Sequence, residues 1–296
     1  MTIRPLALVL LAACSAQAQA NIDIQFDYSY DTSNFFNATS KATLEAAAAA
    51  FESRFTDSFT AISSSGSNQF DAVFFNPSDA NFSNVALNNQ SFAADVLRIY
   101  VGSSNLGGGT LGVGGPGGFG CSGSGVFCSA AESRGQGVVS GPGATDFASW
   151  GGAISFNNTN VAWHFGTTTS GLGGGEADFY SVAVHELAHV LGFGTADSFH
   201  ARLSGSNFVG THAGTVPLSN SYHWAEGTSG LVNGVAQEAA MDPTIFLGDR
   251  KYFTDLDYAA MQDIGWQVTA VPEAGTWAML LAGLGLVGFS ARRRQA

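Results

Sequence analysis

Lysine is almost missing from this chain: Lys41 and Lys251 are the only two among 296 residues. Basic residues are scarce altogether, 11 against 23 acidic ones. Between residues 21 and 270 the balance is 7 against 22, a formal −15. A surface this acidic offers no patch for neutralising phosphates, which excludes nucleic acid and anionic membrane as partners. Charged residues of either sign make up only 11% of the chain, so glycine, serine, asparagine and threonine supply most of its polarity. Cysteine numbers three, and one of these, Cys14, lies in the leader described below. The remaining two, Cys121 and Cys128, stand across a Gly/Ser loop with six residues between them. In an oxidising compartment such a pair closes a small disulfide ring; the alternative is two free thiols. No internal repeat is present. The acidic balance is compatible with calcium, but no oxygen-ligand loop of the EF-hand kind supports it.

The two ends read as addresses. Residues 1–20 carry one positive residue (Arg4), an apolar run from Leu6 to Ala13 and a small-residue site at Ala18-Gln-Ala20. That is the plan of a signal peptide cleaved before Asn21. Leu11-Ala-Ala-Cys14 resembles a bacterial lipobox, so processing before Cys14 is the alternative. At the other end, Val271-Pro-Glu-Ala274 leads into an uncharged, mostly apolar run over 275–291 and then Arg292-Arg-Arg294. The run is barely long enough to span a bilayer, and the arginines would hold its end in the cytoplasm. This tripartite plan over 271–296 resembles the PEP-CTERM sorting signal, departing from it at Ala274, where a second proline is usual. The resemblance implies exosortase-type sorting machinery as a partner, a membrane anchor that is only transient, and a final place outside the cell or on the surface or matrix of a Gram-negative bacterium. An ordinary C-terminal membrane anchor is the competing expectation.

Within 21–270 the patterns alternate between the two structural periods. Residues 21–30 alternate apolar and polar, which predicts a strand. The alanine-rich stretch 41–55 puts Leu44, Phe51 and Phe55 on one side and predicts a helix, capped by Thr39 or Ser40. Strands are expected over 70–75, 96–101, 150–156 and 161–165. Residues 106–143 contain fifteen glycines and read as a long loop, and loops of that length tend to be functional or disordered. Residues 195–228 also read as loop. Met241-Asp-Pro243 makes a tight turn, because proline bars helix at the residue before it. Thr254-Asp-Leu-Asp257 resembles a capping box that opens a short helix through Ile264, ended by Gly265-Trp266. The sum is an α/β (α+β) domain: a mixed, twisted sheet, a long helix, and a smaller C-terminal part.

The chemistry concentrates in Ser181-Val-Ala-Val-His-Glu-Leu-Ala-His-Val-Leu-Gly192. His185 and His189 are four apart, so a helix places both on one face, one turn from each other. Two imidazoles so placed can grip a zinc ion, and Glu186 leans toward the water that the ion would activate. Asp178 is the expected N-cap of this helix, and Gly192 and Gly194 end it. The competing expectation is a buried amphipathic helix with two core histidines, in which Glu186 would have no task.

A hydrolytic zinc site wants three protein ligands and one open position. His185, Glu186, His189 and Gly192 match the metzincin pattern His-Glu-x-x-His-x-x-Gly-x-x-His, but Thr195 stands where its third histidine would be. Candidates for the third ligand are His223, His212 and His200, with Asp197, Glu226 and Glu238 as oxygen donors. His223-Trp224 shortly before Met241 resembles the leishmanolysin-like metzincins, in which an insertion precedes the third histidine. That resemblance implies His223 as the third ligand and Met241 as the methionine of the turn beneath the metal. It also implies a zincin fold with an upper part over 21–194 and a lower part over 195–270, one catalytic zinc, and protein or peptide substrates. Residues 110–117 resemble the edge strand that matrixin-type peptidases lay along their substrate; a flexible surface loop is the alternative. His164 lies in a strand pattern and reads as packing or surface.

These residues point to an exported zinc metalloendopeptidase in which Glu186 is the general base. The alternative is a non-catalytic metal-binding matrix or surface protein. A structural zinc site would fill four positions with protein ligands, often cysteines, and the two cysteines here lie far from the motif in sequence.

Overall fold

The computed structural model describes residues 22–269. The expected signal peptide and the C-terminal tail lie outside the described residues. The central sheet has the order β1-β4-β7-β5, with β1 Asp23–Asp27, β4 Val96–Ser104, β7 Gly151–Asn157 and β5 Gly112–Pro116. The first three run parallel, and β5 closes one side antiparallel to β7. Strand β4 is buried along almost its whole length, as a parallel strand covered on both faces must be. Its residues alternate between two apolar clusters. Ile99 and Val101, with Ile154 and Phe156 of β7, face the helices. Tyr100 and Ala153 face the other way, toward Phe70, Phe74, Phe92 and Trp150.

That second layer is a three-stranded sheet of order β3-β2-β6, with β2 Gln69–Phe75, β3 Asn84–Leu87 and β6 Gly118–Ser122. Phe74 stacks on Tyr100 across the two sheets with ring centroids 4.2 Å apart. The opposite layer is made by α1 Ala38–Glu52 and α3 Phe179–Val190. The small side chains Ala47 and Ala48, both fully buried in the main core, let these two helices approach closely. Helix α1 begins three residues earlier than expected, because Asn37 is the cap. Its carboxamide oxygen accepts from the amides of Thr39 and Ser40, and the Ser40 hydroxyl accepts in return from the Asn37 amide. The helix also ends sooner, at Glu52, and Phe55 instead forms a bridge to Val268. Strand β1 is likewise shorter than the alternation suggests. Beyond Asp27 the chain turns, with Asp31 donating its amide to the Tyr28 carbonyl.

Two expected loops carry structure. The glycine-rich stretch holds β5, β6 and α2 Gly125–Ser133, and Cys121 is bonded to Cys128 across the β6–α2 junction. Residues 195–228 contain α4 Asp197–His200 and an antiparallel meander of β10 Leu203–Ser204, β11 Asn207–Gly210, β12 Gly214–Asn220 and β13 His223–Trp224. The expected strand over 161–165 shrinks to β8 Trp163–His164, paired in parallel with β9 Ala177–Asp178. A hairpin, β14 Ser229–Val232 with β15 Val235–Glu238, precedes the turn at Met241, and α5 Asp255–Asp263 follows it. One apolar cluster joins the two helices to the meander, the Met241 turn and α5, running from Leu44 and Phe51 through α3 to Trp224, Met241 and Trp266. The described residues thus form a mixed α/β arrangement of several sheets and few helices. Among them, no helix is long and apolar enough to cross a membrane.

Candidate metal centre

Helix α3 is fixed at both ends. Asp178 caps its start, accepting from the Ser181 amide and hydroxyl at 3.1 and 2.6 Å. The same carboxylate is held by Arg250 through Nε at 2.9 Å and Nη2 at 2.6 Å, a two-pronged and fully buried ion pair. At the other end Gly192 has φ +102°, a conformation that favours glycine, and the chain turns away. Thr195, at the place of the missing histidine, donates its hydroxyl to the His189 carbonyl at 2.7 Å and so serves the end of the helix.

The turn after α3 and the meander return His223 to this helix. His185, His189 and His223 meet with their Nε2 atoms 3.1 Å apart in every pair. The opposite nitrogen of each ring is already engaged. His185 Nδ1 donates to the Ala240 carbonyl at 2.7 Å, His189 Nδ1 to the Phe193 carbonyl at 2.8 Å, and His223 Nδ1 to the Asn220 carboxamide oxygen at 3.1 Å. With the proton on Nδ1, each Nε2 presents a lone pair to the same small space. Three lone pairs facing one another repel unless they share a cation. Burial, reinforced by the mutual proximity of the rings, lowers the pKa of His185 and His189, the latter to about 4, and burial also lowers that of His223. All three are therefore held in the neutral form that ligates metals. Tetrahedral zinc with Zn–N distances of about 2.0–2.1 Å separates its nitrogens by roughly 3.3–3.4 Å, so the triangle fits with only small adjustment. The described residues bring three such donors together and no fourth.

The other sequence candidates are elsewhere. His212 donates its backbone amide to Asp263, and His200 packs edge-on to Tyr222. His164 lies 4.0 Å from Glu176 and bonds the Thr168 carbonyl. Asp197 accepts from the Gly141 amide. Glu226, Glu238 and Asp242 gather within 4.8 Å, but the Lys251 ammonium sits among them, 2.7 Å from Glu238 and 3.5 Å from Asp242. That acidic group is thus already supplied with a cation.

Glu186 is 6% exposed and lies directly under β5. A β-carbon on Gly112 would stand 2.7 Å from its Cγ, and one on Gly114 would collide with its backbone carbonyl. Only glycine lets the strand cross here, which is the physical reason for glycine at 112 and 114. Burial raises the Glu186 carboxyl to about 8, and the Gly114 backbone N–H draws it partly back. A divalent cation between the imidazoles would add an opposite charge and lower it further. The cleft containing these groups has a volume of about 580 Å³. Its walls are 109–114 on one side and Tyr222 with 242–245 on the other.

One residue that the sequence assigned only to a helix cap organises the far side of the centre. Asp257, fully buried, accepts from the Trp224 indole at 2.9 Å and the Ala240 amide at 2.9 Å, besides capping α5 through Thr254. It ties the His223-Trp224 pair to the turn whose Ala240 carbonyl orients His185. Met241, fully buried in the main core, occupies that turn, and its carbonyl accepts from the Trp224 amide at 3.0 Å.

Residues 270–294 match the PEP-CTERM protein-sorting motif, which marks an exported bacterial protein sorted to the surface and handled by exosortase-type machinery. No curated protein and no solved structure matches the chain.

Proposed function

We propose that the chain is an exported zinc-dependent endopeptidase of the metzincin kind, with His185, His189 and His223 as ligands and Glu186 as general base. The observation that supports this best is the Nε2 triangle of 3.1 Å edges, each ring aimed by a separate Nδ1 bond. Bound there, zinc would supply Lewis acidity, lowering the pKa of a water molecule and polarising the scissile carbonyl. The protein does the rest. Glu186 takes the proton of the attacking water and delivers it to the departing amide nitrogen, so that one peptide bond and one water become a carboxylate and an amine. Strand β5 ends the central sheet, and its outer edge can pair with an extended substrate in the manner of an added strand. Met241 supports the ligand ring from below without touching the reaction. In this reading the meander and the Met241 turn are the lower part of a zincin domain.

The test is metal content and turnover together. Protein spanning residues 21–270 should hold one zinc per chain after dialysis and cleave unfolded casein. Glu186→Gln should keep the zinc and lose several orders of magnitude in kcat, because the proton carrier is gone. A Glu186→Gln protein as active as its parent would refute the proposed role. Zinc binding with no hydrolysis in either would leave a metal-binding surface protein as the better reading.

A further inference from the structure

A second cavity of about 430 Å³ opens beside the histidine cleft, and residues 109–111, which lead into β5, line both. Its remaining walls include the turn over 157–162 and Leu247, from the loop after the Met241 turn. No residue lining it is ionisable, in contrast to the first cleft with Glu186, Asp242 and Lys251. The frame is firm. Asn157, 3% exposed, donates to the Thr110 carbonyl at 2.7 Å and accepts from the Thr159 amide at 3.0 Å, so its amide is committed to holding the walls together.

We infer that this cavity is a substrate subsite on the C-terminal side of the scissile bond, and that it selects a neutral side chain. The inference rests on the peptidase reading and adds a position and a chemistry to it. Gly112 and Gly114 lie against Glu186, so the bond to be cut is presented at that register of β5. An added strand gains most by pairing antiparallel, as β7 already does on the other side. A substrate laid antiparallel runs opposite to β5. Its residues beyond the cut therefore pass 109–111 and reach the second cavity. At roughly 3.4 Å per residue, Thr110 lies about 7 Å back from Gly112, which makes the occupant the second or third residue after the cut. A charged side chain entering here would lose water and meet no counter-charge. A neutral one meets Leu111, Val161 and Leu247.

The experiment uses quenched fluorescent peptides that differ only at the second or third position after the cut, carrying Phe, Gln, Asp or Lys. At one of these positions wild type should prefer Phe and Gln over Asp and Lys by roughly tenfold or more in kcat/KM. Ala162→Trp, at an exposed side chain on the cavity wall, should reduce that preference to near unity by filling the space. Leu247→Asp, at an exposed loop position, should turn it toward Lys. Binding of the same peptides to Glu186→Gln, followed by fluorescence anisotropy, should give the same ranking without turnover. Cleavage with a flat profile at both positions, or a profile that neither substitution moves, overturns the subsite and leaves the peptidase reading standing. Ranked binding with no cleavage by wild type overturns the peptidase reading and keeps the subsite. A preference that these substitutions shift on the N-terminal side of the cut overturns the assigned position.

Discussion

The carboxylate of Asp257 lies 2.9 Å from the indole nitrogen of Trp224, and both groups are fully buried. Through this bond helix α5 holds the residue next to His223, and through the Ala240 amide it holds the turn that aims His185. Two of the three proposed ligands are thus oriented by one side chain that touches neither.

Asp257→Asn should accordingly weaken zinc binding although no ligand changes. The substituted amide has a single acceptor oxygen and cannot serve the Trp224 indole on one side and the Ala240 and Thr254 amides on the other, so a buried donor is left unpaired, at a cost of about 1–3 kcal/mol. Loss of such an orienting partner typically lowers metal affinity by about 10–100-fold. Competition with a zinc chelator measures this. An affinity equal to wild type would mean that the ligand ring holds itself.

How much of this centre can be read in the chain depends on how local the cause is. Helix α3 is legible because its cap Asp178, its apolar face and Gly192 all lie within fifteen residues. The place of His223 has no local signal, since its ring meets partners 34 and 38 positions away. Only its order before Met241, and the resemblance built on that order, points to it. The meander before it escapes sequence reading because its strands are two to seven residues long, and β12 shows no clean alternation of burial. The glycine-rich stretch misleads for a different reason. Its glycines suggest a loose loop, whereas Gly112 and Gly114 are required by the close passage over Glu186. Asp257 was legible as a cap but not as a hub, because its second and third partners arrive only on folding.

The candidate histidines separate cleanly by substitution. His223→Ala should lose zinc on mild dialysis and with it hydrolysis, since two imidazoles hold the ion weakly and without fixed geometry. His212→Ala and His200→Ala should retain both, because neither ring reaches the cluster. Atomic absorption on the three dialysed proteins decides it. Metal retained by His223→Ala and lost by either control would remove His223 from the ligand set.

The Cys121–Cys128 bond closes a ring of eight residues between β6 and α2. By loop-closure entropy alone a ring this small is worth about 2–3 kcal/mol. Replacing both cysteines with serine should lower stability by up to that amount, and reducing agent should do the same to wild type but nothing to the variant. Non-reduced digests of exported protein should show the two peptides linked. Free thiols at both positions would contradict the pairing.

Stability should also depend on pH through a buried carboxylate outside the histidine cleft. Asp57 is 1% exposed and accepts from the Gln267 amide at 2.9 Å, beside the segment that leads toward the sorting tail. Burial raises its pKa to about 6, opposed by the backbone bonds and assisted by the nearby charge of Asp146. The folded state therefore binds this proton more tightly than the unfolded state, whose value stays near the ordinary 3.8. Its contribution to stability is therefore fully present below pH 4 and is lost as pH rises through 6. A shift of this size corresponds to at most about 3 kcal/mol. Asp57→Asn keeps an acceptor for Gln267 but has no proton to lose. Its free energy of unfolding should match wild type near pH 4 and exceed it by about 1–3 kcal/mol at pH 7.5. Urea titrations at the two pH values test this directly. A difference that is constant across pH would assign the effect to packing, and a variant less stable at pH 7.5 would show that the Asp57 carboxylate is held ionised by the fold.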